Sequence, residues 1–570
     1  MGSRVRIGWI VVAGALAALG CAARNDRDAS ATAARSEVAR ISTAAYPVRD
    51  ILDRLPPWEA FVWSSAMGCK PLNLKRMDVR HWMLMQTVAT SIPDGPVGYR
   101  SDRESFVDKM GEITIDGDRL VVTHTARVHA QVADLLARMR AGFAAMDGKP
   151  GAAALIGFTE DAASAAVRQR LRERIDVEFR DIVVEQALES LGRRCGLAIV
   201  IDPRMRERLQ GTNDDLARCK ATLLMHGAPL AGVLEALLWP HAQYDVEGGA
   251  IHVRDIGPDP NATGVYPMAD VADALLRFYL PPGAATKDAD AGYRLKAGEC
   301  ALHLLAPESA AHRSYISGLM IVTGPPEAHE EIAWQLAQLR RALAARDALP
   351  PRGGPPAPQQ PVIDLSDPET AAMWPLMKEK VRLRVKDLPL ADALAALAAA
   401  RPGLNFAAWY DLDLTQTRVS VDAEAGVETI LSAMFAGKFC CAARRGYFLV
   451  SERGQEAPEP ETYECLYPVA DLLPGPATEK DVGEIPGPDG TFRVSVGWAD
   501  DVQHGLPRVV ERMARAVSNR DDPEVADWQS GRANAAHLGG ILRVSQSRRG
   551  HEKVAEFLTQ LRRERLAGRK

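Results

Sequence analysis

"LVVTHTARVHAQVADLLARMR", residues 120–140, is the stretch from which the rest of the chain can be read. Its opening is apolar and partly β-branched, as a short buried strand would be. A polar turn follows. Then Val128, Val132, Leu135, Leu136 and Met139 recur at three- and four-residue spacing, which places them on one face of a helix. Thr123, His129 and Arg140 sit six and eleven positions apart. The same offsets return in "MIVTGPPEAHEEIAWQLAQLR" (320–340) as Thr323, His329 and Arg340. They return again in "LRVSQSRRGHEKVAEFLTQLR" (542–562) as Ser545, His551 and Arg562.

Each copy has an upstream partner: "YPVRDIL" from Tyr46, "YPMADVA" from Tyr266 and "YPVADLL" from Tyr467. Tyr-Pro-x-x-Asp predicts a strand, a sharp turn and a short helix, because proline lacks a backbone donor and suits a strand end or a first helical turn. The tyrosine-to-histidine separations differ, 83, 63 and 84 positions, so the ends of this module are fixed and its middle varies.

A second repeat lies between these copies. "IDVEFRDIVVEQALESLGRRCGLAIVIDP" (175–203) and "VRLRVKDLPLADALAALAAARPGLNFAAW" (381–409) both read as an alternating strand, an aspartate, an apolar-faced helix, Gly-Leu and another strand. Asp181 and Asp387 are expected to be helix N-caps or residues of the turn leading into the helix. Gly196 and Gly403 are expected to end the helices. A second strand, helix and hairpin follow each, with turns at Glu247-Gly248-Gly249 and Arg444-Arg445-Gly446. The expected fold class is therefore α+β (α/β), a multidomain string of small βαβ-type modules.

These residues carry a resemblance. "FRDIVVEQALESLGRRCGLAIVIDP", followed by "GAPLAGVLEALL", resembles the short N-terminal (STN) domain shared by secretins and TonB-dependent receptors. "VKDLPLADALAALAAARPGLNF" resembles a second copy, and the Tyr-Pro-x-x-Asp modules resemble the KH-like secretin N-type domain. The implied layout is secretin N-like module 1 over 44–143, STN-like domain 1 over 168–256 and secretin N-like module 2 over 262–346. A Pro-rich linker over 347–372 follows, then STN-like domain 2 over 376–453 and secretin N-like module 3 over 461–568. After the third of these modules the sequence reads as a helix, so a channel-forming β-region or a plug and barrel is not expected. The resemblance therefore implies binding and assembly rather than channel or receptor activity, with envelope proteins or further copies of the chain as partners and a secretion or pilus channel as the setting.

At the N-terminus, Arg4 and Arg6 precede an apolar run that stops at Cys21. That run is too short to span a bilayer, which takes about 20 apolar residues, and it has the form of an export signal over 1–21. "ALGC" is similar to a bacterial lipobox, which implies lipidation at Cys21, a flexible tether over 22–43 and a periplasmic protein held to the outer (or inner) membrane. Cys195 and Cys219 lie in one small module and are the candidate disulfide pair. A balance of 69 Lys+Arg against 74 Asp+Glu shows no basic excess and argues against a nucleic-acid binder.

No Walker A, G-x-S-x-G, HExxH or CxxC motif is present, so no catalytic site, metal or cofactor is expected. Each repeated histidine stands about 200 residues from the next and reads as a capping or packing group. The arginines read as cations suiting the helix end, and the tyrosines as half-buried strand aromatics. The alternative is a saccharide- or cell-wall-acting enzyme. It would draw on Glu104, Asp108 and Glu112 in module 1 and on Asp500 and Asp501 in module 3.

Overall fold

The structure is a computed structural model that describes residues 41–55, 79–92, 98–100, 105–107, 111–148, 162–210, 215–239, 242–254, 262–279, 301, 302, 305, 312–324, 326–349, 362–366, 368–408, 412, 414–452, 462–472, 482–487, 490–495, 513, 517 and 533–567. The first module contains β1 (Ser42–Pro47), α1 (Arg49–Leu52), α2 (Val79–Ser91), β2 (Gly98–Arg100), β3 (Ser105–Val107), β4 (Glu112–Asp116), β5 (Arg119–His124) and α3 (Ala126–Gly148). Its antiparallel sheet runs β1-β5-β4-β3-β2. The apolar stripe of residues 120–140 lies where its spacing puts it: Val128, Val132, Leu135, Leu136 and Met139 are all buried on α3.

The second module contains α4 (Ala162–Leu171), β6 (Arg174–Val183), α5 (Val184–Cys195), β7 (Ile199–Ile201), α6 (Pro203–Leu209), β8 (Lys220–Pro229), α7 (Leu230–Leu238), β9 (Gln243–Glu247) and β10 (Ala250–Arg254). The third repeats the first with β11 (Ala262–Pro267), α8 (Ala269–Tyr279), β12 (His312–Ile316), β13 (Leu319–Gly324) and α9 (Pro326–Asp347).

After β14 (Ile363–Asp364) and α10 (Pro368–Lys378), the fourth repeats the second. It has β15 (Lys380–Pro389), α11 (Leu390–Ala400), β16 (Phe406–Ala408), β17 (Arg418–Gly426), α12 (Val427–Phe435), β18 (Phe439–Arg444) and β19 (Tyr447–Glu452). The last has β20 (Tyr463–Pro468), a 3₁₀ turn at Ala470–Leu472, β21 (Val482–Gly487), β22 (Gly490–Ser495), β23 (Asn534–Leu538), β24 (Ile541–Gln546) and α13 (Arg548–Ala567).

Asp181 and Asp387 are not N-caps. The cap positions are Val183 and Pro389. Nor do the aspartates sit in a turn: both lie within their strands, β6 and β15, where the register with the neighbouring strand shifts at a β-bulge, and both adopt left-handed backbone, φ 51° and 52°. Their N–H groups donate to the hydroxyls of Thr222 (3.3 Å) and Ser420 (2.8 Å) on the neighbouring strand. A short side chain tolerates that backbone region better than most residues do. Gly196 caps α5 with φ 60°, whereas α11 already ends at Arg401, two residues ahead of Gly403. The two hairpins turn as expected, through Gly248-Gly249 and Arg445-Gly446, all with positive φ.

The modules do not hang apart. The first and third share one apolar core, which runs from Val48 to Leu343 and takes in Ile363, Leu365, Leu466 and Ile541 from further along the chain. Gly142 on α3 lets that helix settle on Leu319 and Val265 of the third module, where a Cβ would come within 2.7 Å of Leu319. Arg346 on α9 reaches the last module in the same way, donating to the Gly539 carbonyl.

The expectation of a spacer over 347–372 is corrected for its described part. Ile363 and Leu365 are buried, β14 pairs with β20, and Trp334 Nε1 donates to the Ser366 carbonyl at 2.6 Å. Apolar residues at alternate positions just beyond the prolines give this stretch a face to bury.

Candidate functional site

The triplicated residues form three copies of one clasp. Tyr46 Oη lies 2.9 Å from His129 Nδ1, Tyr266 Oη 2.7 Å from His329 Nδ1, and Tyr467 Oη 2.8 Å from His551 Nδ1. The far nitrogen, Nε2, meets a carbonyl on the strand: Ser42 O at 2.9 Å from His129 and Tyr463 O at 2.8 Å from His551. A carbonyl only accepts, so Nε2 carries the proton in both rings. Nδ1 meets the tyrosine hydroxyl, which also donates to the histidine's own carbonyl oxygen, at 3.1 Å in His129 and 3.4 Å in His551. In these two copies both ring nitrogens are engaged, and neither presents an open lone pair to a metal or a substrate proton.

Burial pushes the His551 pKa down to about 4, with the Tyr463 carbonyl and Asp364 opposing that shift and Arg548 adding to it. Burial also raises the Tyr467 hydroxyl well above its ordinary range and raises Tyr46 and Tyr266 in the same direction. The His551 clasp therefore sits in its neutral form.

A second clasp closes the other end of each Tyr-Pro-x-x-Asp. Arg140 donates from Nε to Asp50 at 2.6 Å and from Nη2 to the Pro47 carbonyl at 2.6 Å. Arg340 bonds Asp270 (2.7 Å) and Pro267 O (2.9 Å), and Arg562 bonds Asp471 (2.7 Å) and Pro468 O (2.9 Å). These arginines do not end their helices as expected. α3, α9 and α13 run on beyond them to Gly148, Asp347 and Ala567, with no proline to break them. Their role is to tie the helix to the end of the strand, the guanidinium bridging the aspartate and the carbonyl of the strand's last residue, the proline. The side chains of Arg562 and Asp471 are 5% and 2% exposed, whereas those of Arg140 and Asp50 are 39% and 55% exposed. The motif is the same but its electrostatic setting is graded.

The strand edges offer a different kind of site. β8 pairs with β6 on one side and with β16 of the fourth module on the other, giving a five-stranded sheet β18-β19-β16-β8-β6. The antiparallel register sets Phe406 opposite Leu224, Ala407 opposite Leu223 and Ala408 opposite Thr222. Leu224 lies in the core of the fourth module, while Ala407, Tyr447 and Leu449 lie in that of the second. Each module thus helps to build the other's interior. Arg444 stacks over Trp239 at 4.7 Å and Arg445 pairs with Glu235 at 3.0 Å across the same junction. The sequence holds a signal for this junction. Residues 221–225, "ATLLM", are apolar at consecutive positions, as a strand covered on both faces requires, whereas the matching "VSVDA" of β17 alternates.

The remaining expected site residues are placed as follows. Cys21 lies outside the described residues. Among the described residues no disulfide is formed: Cys195 and Cys219 are both thiols, Cys219 buried in the core of the second module and Cys195 packed against that core. Burial raises the Cys195 pKa. Of the carboxylates considered for an enzyme, Glu104, Asp108, Asp500 and Asp501 lie outside the described residues, and Glu112 sits on β4 opposite Thr123. Among the described residues no cluster of three or more His, Cys, Asp or Glu could hold a metal, and no helix is long and apolar enough to cross a membrane. No protein-family model and no curated protein matches the chain.

Proposed function

We propose that this chain is a non-enzymatic assembly protein of the bacterial periplasm, built from STN-like and secretin N-like domains and held to a membrane through lipid on Cys21. Its role is protein–protein binding, in the setting of a secretion or pilus channel, by adding strands at sheet edges. The observation that carries this reading is the junction of β8 with β16: one module of the chain already recruits another by sharing a sheet. The triplicated polar residues are consumed in holding helix to strand, which leaves the sheet edges and module faces as the surfaces with binding chemistry.

Crosslinking in intact cells followed by identification of the captured proteins tests the role. Recovery of defined envelope neighbours supports it. A chain that captures nothing and runs as a monomer in light scattering counts against it. The anchor is tested separately: Cys21→Ala should release the protein from the membrane fraction and abolish incorporation of labelled fatty acid, and retention of both would refute lipidation.

A further inference from the structure

The chain holds two head-to-tail arrays, and each has two ends. In one array, the long helix of a Tyr-Pro-x-x-Asp module rests on the sheet of the next, α3 on the third module and α9 on the last. In the other, the second and fourth modules join through β8 and β16. Head-to-tail contacts can propagate indefinitely, and repeat arrays end in units with polar outer faces.

Three of the four ends have such faces. At the start of the stack, Ala45 and Arg119 are exposed at the positions filled by buried Val265 and Leu319 in the third module and by buried Leu466 and Ile541 in the last. At its finish, exposed Gln560 and Glu564 hydrogen-bond to each other at 2.9 Å. They stand where α3 presents buried Arg138 and Gly142 and where α9 presents buried Gln338 and Ala342. In the strand-joined array, β17 corresponds to β8, with Ser420 matching Thr222 by its bond to the aspartate of the bulge. Asp422 then takes the place of Leu224, and it pairs with Arg382 and with Arg384, the latter at 3.3 Å. A charge at that place would enter the core of any module that accepted β17, and burying it is costly.

The fourth end is β7, which matches β16: Ile199 corresponds to Phe406, Val200 to Ala407 and Ile201 to Ala408. Its residues are Ile, Val and Ile. It pairs with β10 on one side, no described strand pairs with the other, and Val200 is 43% exposed where Ala407 is 2% exposed. An apolar, unguarded strand edge is a template for pairing.

We propose that β7 is the strand-accepting edge of this protein, and that its occupant is an extended segment of a different protein with an apolar residue opposite Ile199. The occupant's chemistry is that of β8, because β8 is what the matching edge holds inside this chain. A second copy of the chain is excluded by Asp422, which the shared register would set against Ile199. The inference deepens the assembly role proposed above and rests on it.

The test uses the full chain and a fluorescent synthetic peptide copying residues 220–226. Saturable binding is expected. It should weaken at least tenfold when the peptide carries Leu224→Asp, and at least tenfold when the chain carries Val200→Lys, a surface change that guards the edge without entering a core. No binding, or binding indifferent to both changes, overturns the proposal. A second arm measures size by sedimentation. Asp422→Leu should convert the chain to head-to-tail oligomers, and adding Val200→Lys should return it to the size of the unaltered protein. Asp422→Leu chains of unaltered size overturn the assignment. In cells, captured neighbours that persist undiminished with Val200→Lys would leave the assembly role standing and remove β7 from it.

Discussion

The three arginine clasps share one geometry but differ in burial, and burial decides what each contributes. Arg562 and Asp471 are nearly inaccessible, so removing one partner strands a charge in the interior. Arg562→Ala is expected to destabilise the last module by about 3–5 kcal/mol, whereas Arg140→Ala, at an exposed pair, should cost roughly 0–1 kcal/mol. Hydrogen exchange of the β24 and β5 amides reads the two effects module by module. His551 gives a pH dependence of defined sign. The unfolded chain takes up its proton near the ordinary 6.5 and the folded chain only near 4, so acid favours unfolding between those values. The last module should lose up to about 3 kcal/mol as pH falls through that window. In a His551→Gln variant this part of the slope should disappear, and an unchanged pH profile of β24 exchange would contradict the neutral clasp.

At the scale of elements, the Thr/Ser–Asp bulge shows how one local kink in a strand is specified twice. Asp181 and Asp387 hold φ near +50°, where a β-branched side chain meets steric cost. Asp387→Val should therefore destabilise the fourth module by about 1–3 kcal/mol and Asp387→Gly by much less, measured in denaturant against the same chain. The strand–helix alternation and the buried stripe of α3 were legible in the sequence, because each depends on residues within a few positions of one another, whereas the aspartate bulges were not, since their hydroxyl partners lie 41 and 33 residues away. Helix ends were less so. Arg140 looked like a terminus because a cation suits one, yet nothing after it breaks the helix, and its partner Asp50 lies 90 residues away.

The whole molecule depends on how the modules meet. Leu224→Asp places a charge in the core of the fourth module at its junction with the second. It should open the β8–β16 pairing, so that amides of 406–408 lose protection about tenfold or more while far-UV circular dichroism stays close to that of the parent. Gly142→Leu tests the other array. Its side chain would collide with Leu319, and the first module should become the first to unfold and the first to be cut by protease. Preserved protection at 406–408 in the one case, or unaltered protease resistance in the other, would show that the modules stand independently.

The sequence by itself determined the repeated strand–helix order and singled out the triplicated tyrosines, histidines and arginines, although not the clasps that they form. Those features follow from local periodicity and from spacings repeated at fixed offsets, where a few torsion angles and one face of an element suffice. Only the tertiary structure decided which faces and edges are covered. Leu224, Val265 and Leu466 look alike as apolar strand residues, and each becomes core through a surface brought from another module of the chain. The physical reason is that burial belongs to pairs of surfaces, and a single strand carries no record of its partner beyond being apolar on both faces.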